Sequence, residues 1–96
     1  MNRQKENELI QETINFLKNG KFREKAPYVN KLQKGETVTL NGFSFTKELY
    51  CWIIWKPTDE EKEPQYKGEP LYKCVPFNVP IENIPIVLDA QPWTYI

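Results

Sequence analysis

Few side chains in this sequence could catalyse a reaction, because histidine is absent from all 96 residues. Without an imidazole there is no base for Ser-His-Asp or Cys-His catalysis, and no nitrogen ligand of the kind that most protein metal sites use. Ser44 is the only serine, and the alternating pattern around it places it opposite Thr39. A structural hydroxyl pair explains this serine better than a nucleophile does. The sequence therefore predicts a protein that is not an enzyme.

The two cysteines, Cys51 and Cys74, do not have CxxC spacing. Two thiolates supply half of a tetrahedral zinc site, and no histidine is available to complete it. Cys51 lies between two aromatic residues rather than beside the cations that activate a thiol. Lys73 adjoins Cys74 but points to the opposite face of a strand. We expect two buried, unreactive thiols, and their contact depends on where the intervening loop closes.

An acidic cluster could in principle bind a divalent cation through its carboxylates. It lacks the Asp-x-Asp-x-Asp-Gly spacing of a calcium loop, and Lys62 interrupts it. The four glycines are scattered and form no phosphate-binding loop. The sequence therefore predicts neither a metal nor a cofactor, and a solvated loop is the better interpretation of the cluster, which comprises Asp59, Glu60, Glu61 and Glu63.

The charges balance, with 13 basic and 13 acidic residues. A protein that binds through phosphate contacts needs a surplus of positive charge, so nucleic-acid binding is disfavoured. The N-terminal residues are charged and polar and contain no apolar core of a signal peptide. The apolar run Leu49–Trp55 is far shorter than the ~20 residues that cross a membrane. These features predict a cytoplasmic protein without a membrane segment.

The N-terminal part of the sequence predicts an amphipathic helix over residues 3–18. Asn2 is a candidate N-cap, and Gly20 is a candidate left-handed C-cap. Downstream, Pro27 is predicted to open a short helical turn that ends at Gly35. The expected buried stripe of the first helix follows helical spacing and comprises Leu9, Ile10, Thr13, Ile14, Phe16 and Leu17.

Residues 37–46 predict a β-hairpin around Asn41-Gly42, the sequence favoured in two-residue turns. Alternation then places Val38, Leu40, Phe43 and Phe45 on a core side, and Thr37, Thr39, Ser44 and Thr46 on a solvent side.

The segment Leu49–Trp55 is predicted to be the central strand. It contains two of the three tryptophans and no charge. Alternation divides it into a Cys51/Ile53/Trp55 face and a Tyr50/Trp52/Ile54 face, and both are apolar. The strand is therefore either covered on both faces or carries a partner on one of them.

The second half of the sequence predicts an exposed loop over 58–70, followed by a strand over 71–77. A helical turn at 80–84 that ends at Pro85 and a strand over 86–88 are expected next. The aromatic tail should dock on its own domain or on a partner. Together the elements predict one small α+β domain over residues 1–96. In it, the amphipathic N-terminal helix packs on an antiparallel sheet of four to five strands that contains the Asn-Gly hairpin.

Aromatic residues are the best candidates for function, since they make up 14% of the chain, more than so small a core requires. Tyrosine and tryptophan are enriched in protein interfaces. The candidate partner-binding residues lie on the central strand, in the charged loop, on the next strand and in the tail: Tyr50, Trp52, Ile54, Tyr66, Lys67, Tyr72, Trp93 and Tyr95.

We therefore expect a small non-enzymatic protein that acts through protein–protein contacts with an unidentified partner. Homodimerisation through the Tyr50/Trp52/Ile54 face is the favoured variant. Lys, Asn, Ile, Phe and Tyr are common and have AT-rich codons, whereas Ala and Arg occur twice each. This usage suits a phage or mobile element of a low-GC bacterium, and hence an inhibitor of a host defence system such as an anti-CRISPR or anti-restriction factor.

Two alternatives remain open at this point. One is a sponge or sensor for a nucleotide or another small ligand, with an aromatic pocket at a subunit interface. The other is a single-stranded nucleic-acid binder, in which aromatic rings stack bases and neighbouring lysines contact phosphates. The zero net charge counts against the second alternative.

Overall fold

The computed structural model describes residues 3–56 and 71–95. Within these ranges, helices pack on a five-stranded antiparallel sheet whose strand order follows the sequence, β1-β2-β3-β4-β5. The predicted α+β class is therefore confirmed. The elements are α1 (Arg3–Asn19), α2 (Phe22–Gln33), β1 (Val38–Leu40), β2 (Phe43–Lys47), β3 (Cys51–Trp55), β4 (Leu71–Pro76), a 3-10 turn (Ile81–Asn83), α3 (Ile84–Asp89) and β5 (Thr94–Tyr95).

Helix α1 presents the predicted stripe to the sheet, with Ile10, Ile14 and Leu17 buried. Thr13 is also buried, and its Oγ1 donates to the Leu9 carbonyl at 2.7 Å, so the hydroxyl proton is hydrogen-bonded within the helix. The same oxygen accepts from Asn41 Nδ2 at 2.8 Å. Because Asn41 lies in the hairpin turn, this bond attaches the middle of α1 to the tip of the hairpin.

Helix α2 is longer than predicted. Pro27 lies inside it rather than at its start, so the prediction of a short turn opened by this proline is wrong. An internal proline removes one backbone hydrogen bond and normally disfavours a helix. Tertiary packing offsets this loss, since Leu32 is buried and Tyr28 and Val29 pack against the same core.

Two glycines end the helices for different physical reasons. Gly35 has φ +81°, and the Glu36 N–H donates to the Lys31 carbonyl at 2.9 Å, the long bond of a Schellman cap. Gly20 is not in the left-handed region, so that part of the prediction is wrong. Instead, a Cβ at Gly20 would lie 2.5 Å from the Phe16 carbonyl oxygen, and only glycine fits there.

The hairpin has the register that alternation predicts. Asn41 and Gly42 form the turn with φ of +52° and +84°. The cross-strand partners are Val38 with Phe45, Thr39 with Ser44, and Leu40 with Phe43.

Strand β3 is the middle strand of the sheet, between β2 and β4, as predicted for an inner strand. Leu49 and Tyr50 do not extend it. They lie in the preceding turn and are 78% and 77% exposed. The Glu48 N–H donates to the Cys51 carbonyl at 2.9 Å and closes this turn, which limits the strand to Cys51–Trp55.

The C-terminal part departs from the predicted strand over 86–88, because these residues form helix α3. Pro85 occupies the first turn of this helix, where a missing N–H has no effect, so it begins a helix rather than ending a turn. Ile84 and Leu88 are four residues apart and both fully buried, which is helical rather than strand spacing.

The aromatic tail docks on its own domain through Trp93. The Trp93 ring stacks on Phe43 with centroids 6.1 Å apart and planes 5° from parallel. Its Nε1 donates to Glu6 Oε1 at 3.5 Å, and Lys73 Nζ lies 4.9 Å from its ring centroid. Tail, α1 and β4 therefore meet around one indole.

Candidate functional site: the outer face of the sheet

Among the described residues, helices pack against one face of the sheet and none packs against the other, which we call the outer face. Register and alternation assign to it Thr39 of β1, Ser44 and Thr46 of β2, Cys51, Ile53 and Trp55 of β3, Tyr72, Cys74 and Pro76 of β4, and Thr94 of β5. Every one of these residues keeps part of its surface accessible. Their neighbours on the helix side are buried at most positions, with Phe45 and Ile54 at 0% exposure.

None of the residues of the outer face carries a charge, although 27% of the chain is charged. The lysines of the same strands lie on the helix side. Lys73 is buried there, and Lys47 places its ammonium 5.6 Å from the Phe77 ring. A solvated sheet face usually alternates with polar and charged residues, so this composition is typical of a surface that another molecule covers.

Trp55 and Tyr72 form the aromatic centre of the outer face. They are directly opposite in the β3–β4 register, with ring centroids 5.9 Å apart. Trp55 Nε1 donates to Thr46 Oγ1 at 2.8 Å. The only polar group of this indole is therefore satisfied inside the sheet, and the ring offers apolar surface to a partner.

Hydroxyl groups on β1 and β2 satisfy one another in the same way. Thr39 and Ser44 are hydrogen-bonded at 3.1 Å, and Thr37 and Thr46 at 3.2 Å. When a partner covers these hydroxyl groups, their hydrogen bonds to one another remain. Their burial is therefore less unfavourable than burial of hydroxyls that are bonded only to water. The pairing of Ser44 agrees with a structural role for this residue.

Cys51 and Cys74 lie on the outer face in adjacent strands, and each is half-buried rather than buried. Cys74 is opposite Ile53 and Cys51 is opposite Pro76, so the two cysteines are diagonal neighbours. Diagonal Cα atoms are ~7–8 Å apart, beyond the usual reach of a disulfide, and both thiols are free.

The pKa of the Cys51 thiol is raised above its ordinary value, first by burial and then by the negative charges of Cys74 and Glu48. A raised pKa keeps the thiol protonated at neutral pH, where it is a poor nucleophile. Lys73 cannot lower it, because its Nζ lies on the opposite side of the sheet and donates to the Leu88 carbonyl at 3.0 Å. Cys51 therefore acts as a small apolar group, whereas the Cys74 thiol donates to Gln91 Oε1 at 3.8 Å.

The structure distributes the sequence-predicted partner residues over several environments. Trp52 and Ile54 are core residues, 6% and 0% exposed beneath the helices, so they form no partner surface, and this assignment is corrected. Trp52 packs edge-on against Phe77 with centroids 5.3 Å apart. Tyr50 is exposed in the turn before β3, and Tyr72 is on the outer face.

The remaining candidates are in the tail and the charged loop. Trp93 is half-buried within the domain, and the Tyr95 backbone pairs with Leu71. Tyr66 and Lys67, together with the rest of the loop predicted over 58–70, lie outside the described residues.

Alternation divided β3 into the correct two faces, but the candidate partner residues Trp52 and Ile54 lie on the face that is buried beneath the helices. Phe45 lies opposite Ile54, which places Ile54 on the core side that Phe45 already defines. Once this register is known, Thr46 and Ser44 continue across the sheet into Ile53 and Trp55, but the sequence alone does not supply the register.

The β4 edge beyond β5 is closed by a side chain. Gln91 Nε2 donates to the Cys74 carbonyl at 2.7 Å, and the Cys74 N–H donates to Gln91 Oε1 at 3.1 Å. The amide thus makes both bonds that another strand would make at this position. Strand addition is therefore blocked at Cys74.

Within residues 3–56 and 71–95, no three cysteine or carboxylate side chains are grouped as a metal site requires. In the same part of the chain, no helix combines the length and the apolar character needed to cross a bilayer. No protein-family model, curated protein sequence or solved structure matches this chain.

Proposed function

We propose that this protein is a non-enzymatic, cytoplasmic binding protein whose outer sheet face docks on another protein. The observation that carries the proposal is the uncharged surface centred on Trp55 and Tyr72. Covering apolar area contributes about 25 cal/mol per Å², and none of the ten residues that form the outer face carries a charge that would have to be desolvated. The absence of lysine and arginine from the face favours a protein surface over a phosphate backbone.

A second copy of the chain is the partner that we propose for this face. A charged partner surface would be desolvated here without a counter-charge, whereas two uncharged faces impose no such penalty. A two-fold axis brings the same patch of each protomer together, so the face needs to complement only itself. The faces would then pack as two sheet layers ~10 Å apart.

The size of the face predicts a weak dimer. About 20 strand residues, each occupying ~16 Å² of the sheet, give roughly 300 Å² of flat footprint per protomer. Allowing about a factor of two for side-chain relief, two protomers bury roughly 1,200 Å², near the lower limit for specific interfaces. We therefore expect dissociation on dilution rather than an obligate dimer.

Sedimentation equilibrium from micromolar to millimolar concentration tests the dimer. Trp55→Glu places a charge at the centre of the outer face and should raise the dimer dissociation constant at least about tenfold. Phe22→Glu is the matched control, since Phe22 is 78% exposed on α2, which packs on the helix side of the sheet, and its replacement should leave self-association unchanged. Equal effects of the two substitutions, or a wild-type monomer at every concentration, would reject the second copy as the partner.

The biological role that we propose is inhibition of a host defence system, such as CRISPR interference or restriction. Residue usage typical of AT-rich genomes supports it. In a bacterial strain carrying such a system, expression of the wild-type chain should raise the plating efficiency of a sensitive phage. Trp55→Glu should abolish this effect and Phe22→Glu should retain it. Unchanged plating across a panel of restriction and CRISPR strains would refute the role.

A further inference from the structure

We propose a second binding site, separate from the outer face, in the groove between α1 and α3, which accepts an arginine side chain of a peptide segment. The groove has a volume of about 710 Å³. Four residues on successive turns of α1 form one wall, and α3 with the residue that follows it forms the other. The lining residues are Gln4, Asn7, Glu8, Gln11, Pro85, Ile86, Asp89 and Ala90.

The first observation is an unpartnered buried acceptor. Asn7 lines the groove, is 5% exposed, and its Oδ1 makes no hydrogen bond. A buried acceptor without a donor is unfavourable in the free protein and becomes favourable once a ligand supplies the donor. The terminal torsion of asparagine is broad, so the amide can turn towards a ligand in the groove that it lines.

The other side-chain amides of the groove leave mainly acceptors for a ligand. Gln11 Nε2 donates to the Ile81 carbonyl at 2.9 Å, and Gln4 Nε2 lies 3.5 Å from Glu8 Oε1. One N–H of each amide is thus directed to the protein itself. A ligand that contributes N–H groups would pair with the acceptors that line the groove.

The negative charges that line the groove favour a cation as the ligand that donates these hydrogen bonds. Glu8 and Asp89 stand on opposite walls, and no lysine or arginine is among the lining residues. Arg3 lies 3.7 Å from Asp89, but both side chains are more than 60% exposed, so this ion pair is solvated and exchangeable. A planar guanidinium presents N–H groups in several directions and fits two carboxylates and an amide better than an ammonium does.

The apolar part of the site favours a side chain with an aliphatic stem. Ile86 is 69% exposed on the α3 wall, next to Pro85. The methylenes of an arginine can cover Ile86 while its guanidinium reaches the carboxylates. Acceptors, charge and exposed aliphatic surface therefore point to the same chemical class of ligand.

Fluorescence anisotropy of the full chain with a labelled peptide of alternating leucine and arginine tests this proposal. The matched ligand is the same peptide with citrulline, a neutral isostere, in place of arginine. We expect saturable binding of the arginine peptide, at least about tenfold weaker binding of the citrulline peptide, and a further loss of affinity with added salt. Equal affinity for the two peptides would overturn the proposal.

Variants separate binding in this groove from general attraction of the cationic peptide to carboxylates elsewhere on the protein. The double variant Glu8→Gln/Asp89→Asn should weaken arginine-peptide binding about tenfold or more. Glu36→Gln/Glu48→Gln changes the net charge equally at exposed positions that do not line the groove, and should leave binding within about twofold. Equal weakening by both pairs would reject the site.

Asn7→Leu supplies a readout that a purely structural asparagine would not give. The substitution keeps the branched shape of the side chain but removes the unpartnered acceptor, so the free protein should keep or raise its melting temperature while peptide affinity falls several-fold. A variant that melts lower and binds the peptide as the wild type does would assign Asn7 a structural role and refute its part in the site. Because Trp55→Glu leaves the groove intact, failure of the outer-face proposal and failure of this one are distinguishable.

Discussion

Replacement of the buried Lys73 by methionine should stabilise the protein. Lys73 is 2% exposed on the helix side of the sheet. Its ammonium donates to the Leu88 carbonyl at 3.0 Å and lies 4.9 Å from the Trp93 ring centroid. Methionine has a similar length and is flexible enough to fill the same space without a charge.

The expected magnitude follows from opposing contributions. The charge-assisted hydrogen bond stabilises by about 1.5–3 kcal/mol and the cation–π contact by about 1–2 kcal/mol. Burial of an ammonium is unfavourable by several kcal/mol, and apolar replacements of buried charged groups are often neutral or stabilising by 1–4 kcal/mol. The Leu88 carbonyl is not orphaned, because it also accepts from the Gln91 N–H at 3.2 Å. We expect a net gain of about 1–2 kcal/mol in the free energy of unfolding at pH 7.

The pH dependence gives a second, independent readout. Burial lowers the pKa of Lys73 below its ordinary 10.5, partly countered by Glu6 and Asp89 and reinforced by Arg3 and Lys56. Between the lowered folded pKa and 10.5, the unfolded chain binds more protons than the folded chain, so wild-type stability rises with pH in this window. The advantage of the methionine variant should therefore shrink as pH approaches 10.5.

Urea denaturation followed by tryptophan fluorescence, at pH 7 and at steps up to pH 10, measures both effects. Destabilisation by more than about 1 kcal/mol at pH 7 would show that the lysine contacts outweigh its desolvation. A difference that stays constant with pH would show that burial does not lower the pKa.

Two further predictions test the assignment of faces and the helix ends. Ile54→Ala should lower the free energy of unfolding by about 3–4 kcal/mol because Ile54 is fully buried. Ile53→Ala, on the outer face, should lower it by less than about 1.5 kcal/mol. Similar losses for the two variants in urea denaturation would contradict the assignment of faces. Gly20→Ala should lower stability by roughly 1–3 kcal/mol, because its Cβ would meet the Phe16 carbonyl oxygen at 2.5 Å; a thermal melt unchanged from the wild type would refute this close approach.

Local chemistry and periodicity were sufficient for several elements. The stripe of α1 follows helical spacing, and the Asn41-Gly42 turn between alternating residues specifies its own register, because both signals act over a few neighbouring residues. The absence of histidine needs no structure to be recognised. These features depend on residue type and short-range geometry alone.

Other elements depended on packing that no local pattern reveals. Pro27 is a local signal to start a helix, yet Leu32 and its neighbours pack well enough to continue α2 through it. Ile86–Leu88 is apolar enough for a strand, but burial of Ile84 and Leu88 on one side selects a helix. Tertiary contacts override weak propensities in such short segments.

The candidate site is the clearest case of this division. The sequence by itself determined that β3 has two apolar faces, since alternation is a property of any extended chain. Only the tertiary structure decided which face the helices cover, through the pairing of Phe45 with Ile54 across β2 and β3. A shift of one residue in that register would exchange the buried and the uncovered side chains, and the sequence between the two strands does not specify it.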